Sequence, residues 1–485
     1  MIDWTNLTRS LRTWEYGPLA VVIALAAALR FGFLNQQSFW FDEAVTVELV
    51  HKSLPKMLAA LPNSESTPPL YYVLAWGWSR IFGTGEVGLR ALSALLGTAT
   101  VPLSFAIGRL FVSKRAGLFA AGLVACSPFL VWYSQEARSY ALLAFLSALS
   151  VLVFGHALRR PTPRAFTSWA VVACLALLTH YFAVFLIGAE ALWLLSARSR
   201  CRAAWLAVGG AAAAGSALLP LALHQENSGQ TWWIGAQPLS GRVRETLRQF
   251  VTGEYAPPAH IAIVIALVAV ALATAGLVGF TEGWERRGAA TVFALGGIAV
   301  LAPLALASTR FDKFFYRNLI GAWVLLAIGL AIVFASRRAR RLGLVLVTAA
   351  AAVELGSLTL VLLRPTLQRD DWRSATRALD LRAGPLAIVT APSYESVAIE
   401  LYRPDVGRMP PAGARVREIV FLGFGRLPLD FRPPVGFERV DQRRIQHVAL
   451  VRYRASSPHI VTPAEVASRS RFSADGVLLE SGPPG

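Results

Sequence analysis

Two adjacent carboxylates, Asp42 and Glu43, stand in the stretch NQQSFWFDEAVTVELV (residues 35–50), just after the first apolar run of the chain. A carboxylate beside apolar side chains has its pKa raised toward the range in which it can act as a general base for a hydroxyl group. Local structure explains the pair equally well. Asp42 would cap an amphipathic helix that begins near Ala44, and Glu43 would lie in its first turn, where the helix dipole favours acids. The two interpretations are compatible, but adjacent helical residues point about 100° apart, so we expect at most one of them to take the proton.

A second set of polar residues borders later apolar runs and is rich in cations. Arginine binds phosphate oxygens through two parallel hydrogen bonds, so arginines at the edge of a bilayer are candidates for holding a lipid-linked phosphate. Extension toward the lipid headgroups explains a single arginine there, but it explains several converging cations less well. A lone histidine beside a helix turn is more often structural than a ligand. The set consists of Glu136 and Arg138 in YSQEARSY, His180 and Tyr181 in LLTHYF, and Arg310, Lys313 and Arg317 in STRFDKFFYRN.

The composition defines the class of protein that must position these residues. Of the 485 residues, 55% are hydrophobic and 16% are charged, and the mean hydropathy is +0.50, which indicates a polytopic membrane protein. It should be mostly helical, because backbone polar groups cannot go unpaired in lipid. The net charge of +18 is interpreted first as loop charge that fixes topology. Nucleotide-binding, zinc-protease and serine-hydrolase motifs do not occur in the sequence, so ATP-driven transport, redox chemistry and serine hydrolysis have no motif support.

Eleven long apolar segments predict eleven membrane-spanning helices. Basic clusters fall in alternate connections between them, so all of these clusters and the N-terminus can be cytoplasmic at once. A crossing at residues 68–83, PPLYYVLAWGWSRIFG, would invert every later cluster, so this stretch is assigned to a re-entrant or interfacial helix on the outer side. The segments around LLTHYF should form a hairpin with His180 at its apex. The predicted spans are 17–34, 89–111, 116–133, 139–157, 165–179, 181–196, 203–223, 259–280, 289–308, 319–335 and 342–363.

Residues beyond the last span must then lie outside the cytoplasm. We predict a transmembrane domain over residues 1–363, a small extracytoplasmic α/β domain over 364–455, and a flexible tail over 456–485. RDDWRSATRALDLR predicts an Asp-capped helix, whereas PLAIVTAP, REIVFLGF and QHVALVRYR predict short strands. The tail is assigned as flexible because it is rich in Ser, Pro and Arg.

The order of these pieces resembles a known family. FWFDEA, TPPLYYVLAWGWSRIFGTGEVGLRALSALLGTATV, GRLFVSKRAGLFAAGLVACSPFLVWYSQEARSYAL and LLTHYF are similar to segments of GT-C glycosyltransferases of the protein-mannosyltransferase and aminoarabinose-transferase kind. The resemblance covers residues 17–190 well, and the outer domain only through DDWRSA and its strand pattern. It implies the GT-C fold and the inverting transfer of one sugar, mannose, arabinose or similar, from a polyprenyl-phosphate donor. The acceptor would be a protein, lipid or glycan at the outer face of the inner or plasma membrane.

The resemblance also implies roles for single residues. Asp42 would be the base and Glu43 its partner, and Arg138 would be a donor-phosphate ligand or an organiser of the site. Family members often have a histidine where this chain has Thr67 before Pro68, so any role of that histidine is absent or taken by another residue. We assign no metal ligand and no cofactor, and because relatives differ in binding a divalent cation, that question stays open. The remaining candidates are Arg310, Lys313 and Arg317 for the donor phosphate, and Glu136, His180 and Tyr181 for the substrate.

The mechanism implied by the family follows from the leaving group. Phosphate departs as a stable anion, so it requires charge neutralisation rather than protonation, and one carboxylate suffices to activate the acceptor. A lipid-carrier flippase or transporter is an alternative, as is a non-catalytic envelope assembly protein. A transporter would be expected to carry charges near the bilayer midplane or to show repeated halves. The sequence shows no such repeat, and its ionisable residues cluster on one predicted side.

Overall fold

The computed structural model describes residues 4–253, 259–309, 311–379, 385–424, 432–469 and 474–480. The chain divides into two compact units. Unit 1 consists of Met1–Leu34 and Lys52–Val361, and unit 2 consists of Asn35–His51 and Leu362–Gly485. The acidic stretch therefore groups with the C-terminal residues, which the predicted boundary at residue 363 did not anticipate.

Helices make up most of the described chain. Their apolar composition suits them to lipid, where each backbone polar group must be paired within the helix. In chain order they are α1 (Trp4–Phe31), α2 (Phe41–His51), α3 (Leu54–Ser64), α4 (Leu70–Phe82), α5 (Glu86–Phe111), α6 (Lys114–Cys126), α7 (Pro128–Ser134), α8 (Tyr140–Arg159), α9 (Pro163–Leu177), α10 (Ala183–Ala197), α11 (Arg202–Ala217), α12 (Leu219–Asn227), α13 (Trp232–Gly235), α14 (Leu239–Thr252), α15 (Ala259–Gly279), α16 (Gly283–Leu306), α17 (Ile320–Phe334), α18 (Arg340–Leu363), α19 (Trp372–Arg377), α20 (Ser396–Tyr402) and α21 (Pro463–Arg469).

Within the described residues, six helical stretches are long and apolar enough to cross a bilayer, and the bent pair α6 and α7 makes a seventh. Four shorter apolar helices lie at Tyr16–Phe31, Pro163–Leu177, Ala183–Ala197 and Val264–Gly279. These eleven elements coincide with the eleven predicted apolar segments. The polytopic helical class is thereby confirmed, whereas the number of spans stays a prediction, because a perpendicular crossing takes about 20 residues.

The bend between α6 and α7 has a direct cause in the sequence. Pro128 has no backbone N–H to continue the hydrogen-bond ladder, and the two helices meet at 60°. Arg30, which is fully buried, donates to the carbonyl oxygens of Val124 and Ala125 at 2.9 Å. The carbonyl of Val124 is the acceptor that a residue with an N–H at position 128 would have used. Arg30 thus stabilises the bend that precedes the turn after α7.

Two short elements of unit 1 can be compared with their predictions. The helix α4 has 13 residues and is therefore about 20 Å long, which is shorter than the roughly 30 Å hydrocarbon core of a bilayer. Its interfacial or re-entrant position stays a prediction. The helices α9 and α10 are joined by a turn over residues 178–182, and His180 lies at the centre of that turn, as the predicted hairpin requires.

Unit 2 contains a six-stranded mixed sheet, counted over the described part of the chain. Its strands are β1 (Leu386–Ala391), β2 (Val406–Arg408), β3 (Ala414–Phe424), β4 (Phe437–Ile445), β5 (Val448–Val461) and β6 (Val477–Glu480), in the order β2-β6-β1-β3-β5-β4. The pairing of β1 with β3 is parallel and the others are antiparallel. The three predicted strand segments form β1, β3 and β5, and Asp371 caps α19 by accepting from the Ser374 N–H at 3.0 Å. The small α/β domain is confirmed.

The structure differs from the flexible tail expected from residue 456. The strand β5 continues to Val461, α21 follows, and β6 pairs with both β1 and β2. The physical reason is the short apolar sequence within β6. Val477 and Leu478 are both buried and contribute to two different apolar clusters of unit 2. Residues 470–473 and 481–485 lie outside the described residues.

The helix α2 is an integral part of unit 2. Ala44 belongs to the apolar cluster that also contains Ile399 of α20. Just before α2, the backbone N–H of Phe39 donates to the hydroxyl oxygen of Tyr402 at 2.7 Å. These contacts fix the helix that carries Asp42 against the C-terminal domain.

Candidate functional site

Arg138 and Glu65 form a buried ion pair in unit 1. Nη1 and Nη2 of Arg138 donate to the two carboxylate oxygens of Glu65 at 2.5 and 2.8 Å, and the side chains are 7% and 3% exposed. A bidentate pair of this kind fixes the orientation of both groups. Of the two predicted roles for Arg138, phosphate ligand and site organiser, this contact favours the second.

A chain of polar contacts continues from this pair. The Tyr72 ring centroid lies 5.9 Å from Cζ of Arg138, and its hydroxyl lies 3.3 Å from that of Thr67. The Thr67 carbonyl accepts from Nε2 of Gln225 at 3.2 Å, and Oε1 of Gln225 accepts from the Tyr181 hydroxyl at 2.7 Å. The loop before α4, the turn after α7 and the α9–α10 turn therefore meet. Thr67, which stands where relatives often have histidine, takes part in this network.

His180 is buried at the apex of the α9–α10 turn, where it is 4% exposed. Burial lowers the pKa of His180 to about 3, and the positive charges of Arg317 and Arg138 contribute to the same shift. Its Nδ1 accepts a hydrogen bond from the Phe182 N–H at 3.2 Å, so the neutral ring carries its proton on Nε2. The site thus contains a neutral N–H donor close to two cations.

Arg317 is surrounded by aromatic rings. Its Cζ lies 5.4 Å from the ring centroid of Trp233, 5.6 Å from that of Phe315 and 5.7 Å from that of Tyr140. Ring faces attract a cation through the negative charge density on the ring face. The charge of Arg317 contributes to the lowered pKa of His180, so the two side chains are electrostatically coupled. The structure brings together Arg138, His180 and Arg317, three of the predicted site residues.

The other predicted cations have different surroundings. Nζ of Lys313 lies 3.1 Å from a carboxylate oxygen of Glu226, so this predicted phosphate ligand is engaged in an ion pair. The neighbouring Asp312 accepts from Nη1 and Nη2 of Arg242 at 2.7 and 2.5 Å. The hydrogen bonds from Arg242 are the main reason why the pKa of Asp312 is lowered. These pairs order the loop before α17. Arg310 lies outside the described residues.

Glu136 and Tyr181, the predicted substrate-binding residues, have structural contacts. Glu136 is 1% exposed, and its carbonyl accepts from the Arg138 N–H at 2.8 Å, which closes the turn that presents Arg138. Tyr181 is half-buried, and burial raises the pKa of Tyr181 to about 12, so its hydroxyl keeps the proton that it donates to Gln225. Their roles toward a substrate stay predictions.

Asp42 and Glu43 lie in the first turn of α2, which begins at Phe41. The prediction that Asp42 caps a helix starting near Ala44 is wrong, because the carbonyl of Trp40 already accepts from the Ala44 N–H at 2.9 Å. Both acids still lie where the helix dipole favours negative charge. Asp42 is half-buried and Glu43 is fully buried, as expected for neighbours that point in different directions.

The charges of two carboxyl groups of unit 2, Asp42 and Asp370, act on the buried carboxyl group of Glu395. Burial raises the pKa of Glu395 well above its usual value, and the charges of Asp370 and Asp42 raise it further. Burial also raises the pKa of Asp370 to about 7. Burial therefore favours the protonated form of Glu395 beside the charge of Asp42.

The two units therefore offer different chemistry. Unit 1 provides fixed positive charge and a neutral donor, which suit an anionic phosphate. Unit 2 provides carboxyl groups that can accept and hold a proton. Over the part of the chain that the structure describes, no group of three or more His, Cys, Asp or Glu side chains is arranged to hold a metal ion.

Sequence reasoning assigned no role to Glu65, Tyr72 or Gln225. Glu65 could have been recognised from the sequence, because placing an acidic side chain next to a membrane boundary costs free energy unless the side chain has a partner. Tyr72 lies inside the motif TPPLYY but looks like one apolar aromatic among several. Gln225 carried no signal, since a neutral polar residue near a helix end is ordinary.

Comparison with known proteins gives a family match for part of the helical region. Residues 66–224 match the family model described as dolichyl-phosphate-mannose-protein mannosyltransferase. The match includes Tyr72, Arg138 and His180, and over this range it confirms the resemblance to GT-C glycosyltransferases. A search of curated proteins finds no match.

Solved structures give similarities of larger extent. ArnT from Cupriavidus metallidurans in the apo state is 14% identical, with 90% of this chain and 98% of that chain covered and a TM-score of 0.42. ArnT bound to undecaprenyl phosphate has the same identity and coverage, with a TM-score of 0.40. The Archaeoglobus fulgidus oligosaccharyltransferase tethered with an acceptor peptide is 12% identical, with 75% of this chain and 57% of that chain covered and a TM-score of 0.46.

Proposed function

We propose that this chain is a membrane glycosyltransferase that transfers one sugar, mannose, arabinose or similar, from a polyprenyl-phosphate donor to an acceptor hydroxyl, with inversion. The match of residues 66–224 to a family named for a dolichyl-phosphate-linked mannose supports a lipid-linked donor. The reaction would take place at the outer face of the inner or plasma membrane, as the distribution of basic loops indicates. The acceptor would be a protein, lipid or glycan.

The grouping of Arg138, His180 and Arg317 is the observation that carries this proposal. A polyprenyl phosphate departs as an anion, and fixed positive charge in a site that excludes water stabilises that departure. Arg317 lies among aromatic rings and its positive charge acts on His180, so we assign it as the principal phosphate ligand. His180 would donate its Nε2–H to a phosphate or sugar oxygen.

Arg138 and Lys313 have secondary parts in this proposal. Arg138 is bound to Glu65 through both terminal nitrogens, so it would organise the site and add positive charge without leaving its partner. Lys313 would have to exchange Glu226 for the phosphate before it could bind the donor. Glu136 and Tyr181 would shape the substrate-binding turns.

Asp42 is the proposed base, and Glu43 is its partner in orienting the acceptor or the base. Asp42 is half-exposed whereas Glu43 is buried, so Asp42 is the carboxylate that an acceptor can reach. In the proposed step the acceptor oxygen bonds to the anomeric carbon while the bond from that carbon to the phosphate oxygen breaks. The hydroxyl proton passes to Asp42, and the electron pair leaves with the polyprenyl phosphate. A single displacement of this kind inverts the anomeric centre.

The test is sugar transfer in membranes that contain the full chain, with labelled polyprenyl-phosphate sugars offered one at a time. Asp42→Asn should lower transfer by about 10²–10⁴-fold, because the amide cannot accept the proton. Donor binding should persist in that variant. Asp441→Asn is the matched control, since Asp441 is a partly exposed carboxylate of unit 2 in β4, and it should transfer normally. Full transfer by Asp42→Asn would overturn the base assignment.

The same membranes distinguish the alternatives. A flippase would move labelled donor across the bilayer without forming glycosylated product, and a non-catalytic assembly protein would do neither. If the parent chain transfers none of the offered sugars but moves the donor across, the transferase proposal fails.

A further inference from the structure

Glu395 is a buried carboxyl group for which the proposed reaction has no role so far. It ends a short 3-10 turn, Ser393–Glu395, directly before α20, and is 5% exposed. Its Oε2 has no hydrogen-bond partner among the residues that the structure describes. Burying an ionised carboxylate without partners is costly, so the protonated form is favoured. In that form Glu395 has an O–H to donate.

Packing between α2 and the turn before α20 brings Glu395 to the acidic motif. The ring centroids of Phe41 and Tyr394 lie 4.8 Å apart. Phe41 directly precedes Asp42, and Tyr394 directly precedes Glu395. Ala44, one turn further along α2, lies in the same apolar cluster as residues of α20. Asp42 and Glu395 therefore each follow directly after one of the two residues that form this ring contact.

The charged groups around this contact have mostly the same sign. Burial is the first cause of the raised pKa of Glu395, and the charges of Asp370 and Asp42 add to it. Burial raises the pKa of Asp370 to about 7, and the neighbouring Arg369 opposes that shift. The groups that act on Glu395 are Asp42 from α2 and Asp370 from the segment before α19, and Tyr394 is the titratable residue next to it in its own turn.

We propose that Glu395 is a positioning residue for proton transfer. Its protonated carboxyl group would donate a hydrogen bond to the Asp42 carboxylate and orient that carboxylate toward the hydroxyl group of the acceptor. This inference rests on the proposed function, and it gives the C-terminal domain a part in the chemistry through Asp42.

Two substitutions separate a donor role from simple packing. Glu395→Gln retains the volume and an N–H donor, so it should keep kcat near neutral pH within about threefold of the parent. Glu395→Ala removes the donor and should lower kcat about tenfold or more, with the KM for the donor unchanged. On the alkaline side the parent should lose kcat as Glu395 loses its proton, and Glu395→Gln should not. Glu400→Gln, a change at a half-buried glutamate of α20, the helix that follows the turn of Glu395, is the matched control and should follow the parent profile.

The pH dependence of thermal unfolding provides a readout that does not need activity. A carboxyl group whose pKa is raised in the folded state stabilises fully below its unfolded pKa of about 4.3, and that contribution is lost as pH rises through the folded pKa. The thermal unfolding midpoint of the parent should therefore fall as pH increases, relative to the midpoint of Glu395→Gln at the same pH. Active parent enzyme with identical pH profiles in the parent and Glu395→Gln would overturn the positioning role and leave the proposed function standing. Parent enzyme without transfer would overturn both, even if the unfolding difference shows that Glu395 is protonated in the fold.

Discussion

The two units treat buried charge in opposite ways. In unit 1 the cations contact groups that carry no positive charge: Arg138 pairs with Glu65, and Arg317 lies among aromatic rings. In unit 2 carboxyl groups gather beside other carboxyl groups around Asp42. Pairing keeps a charge fixed over a wide pH range, whereas grouping like charges raises the affinity for a proton. The cations of unit 1 suit the binding of a permanent anion, whereas the carboxyl groups of unit 2 can take up and release a proton. The proposed transfer of a sugar from a phosphate would use both properties.

The pKa shifts of His180 and Glu395 express the same difference. Burial, with the charges of Arg317 and Arg138, lowers the pKa of His180 to about 3. Burial, with the charges of two acids, raises the pKa of Glu395 well above its usual value. Burial thus favours the neutral form of both side chains, which His180 reaches by losing a proton and Glu395 by keeping one.

The largest effect on this comparison is expected from breaking the ion pair of unit 1. Glu65→Gln removes the carboxylate that both terminal nitrogens of Arg138 contact, so the free energy of unfolding should fall by about 3–5 kcal/mol. Denaturation of the purified protein in detergent measures this change. The double variant Glu65→Gln/Arg138→Met should recover most of the loss. A double variant as unstable as the single one would show that the two side chains do not act as a unit.

A smaller effect is expected from removing the charge that lies among the rings. Arg317→Gln should raise the KM for the polyprenyl-phosphate donor about 10–100-fold, because hydrogen bonds to a charged group contribute about 1.5–3 kcal/mol each. Arg337→Gln is the matched control, since Arg337 also lies over an aromatic ring, 5.3 Å from the centroid of Trp284. Equal losses in the two variants would point to a general effect of losing a ring contact and would contradict phosphate binding by Arg317.

The smallest effect concerns pH and His180. Its pKa is lowered in the folded state, so its contribution to stability is present above the ordinary histidine pKa of about 6.5 and is lost as pH falls toward 3. The loss should reach about 2 kcal/mol at pH 5 and be negligible at pH 7.5. Thermal midpoints of the parent and His180→Asn between these pH values measure it. His180→Asn should weaken the pH dependence of the thermal unfolding midpoint on the acid side only, and Glu395→Gln should weaken it on the alkaline side only. The reverse pattern would contradict the difference between the two units.

Local patterns in the sequence predicted much of the fold. Apolar length located the helices, and the two short segments flanking His180 predicted the α9–α10 hairpin. The cap at Asp371 and the strands β1, β3 and β5 followed from residue types within a few positions of each other. Such features depend on neighbours in sequence, which is why they could be read without the structure.

The features that were not predicted depend on distant partners. Glu65 and Arg138 are 73 residues apart, and the sequence around either residue does not indicate that it contacts the other. The strand β6 has only four residues, too few to show a strand pattern, and it gains its place from β1 and β2 on both sides. The grouping of α2 with the C-terminal domain likewise depends on contacts such as that between Phe39 and Tyr402.

The division of the chain has a consequence for recombining it with relatives. The backbone passes between the two units three times, after Leu34, after His51 and after Val361. A domain joined by one linker can be exchanged by cutting at that linker. Here a cut after residue 363 would leave α2 behind without Tyr402 and the rest of its apolar cover. A functional chimera should therefore inherit residues 35–51 and 362–485 from the same parent, as one discontinuous cassette.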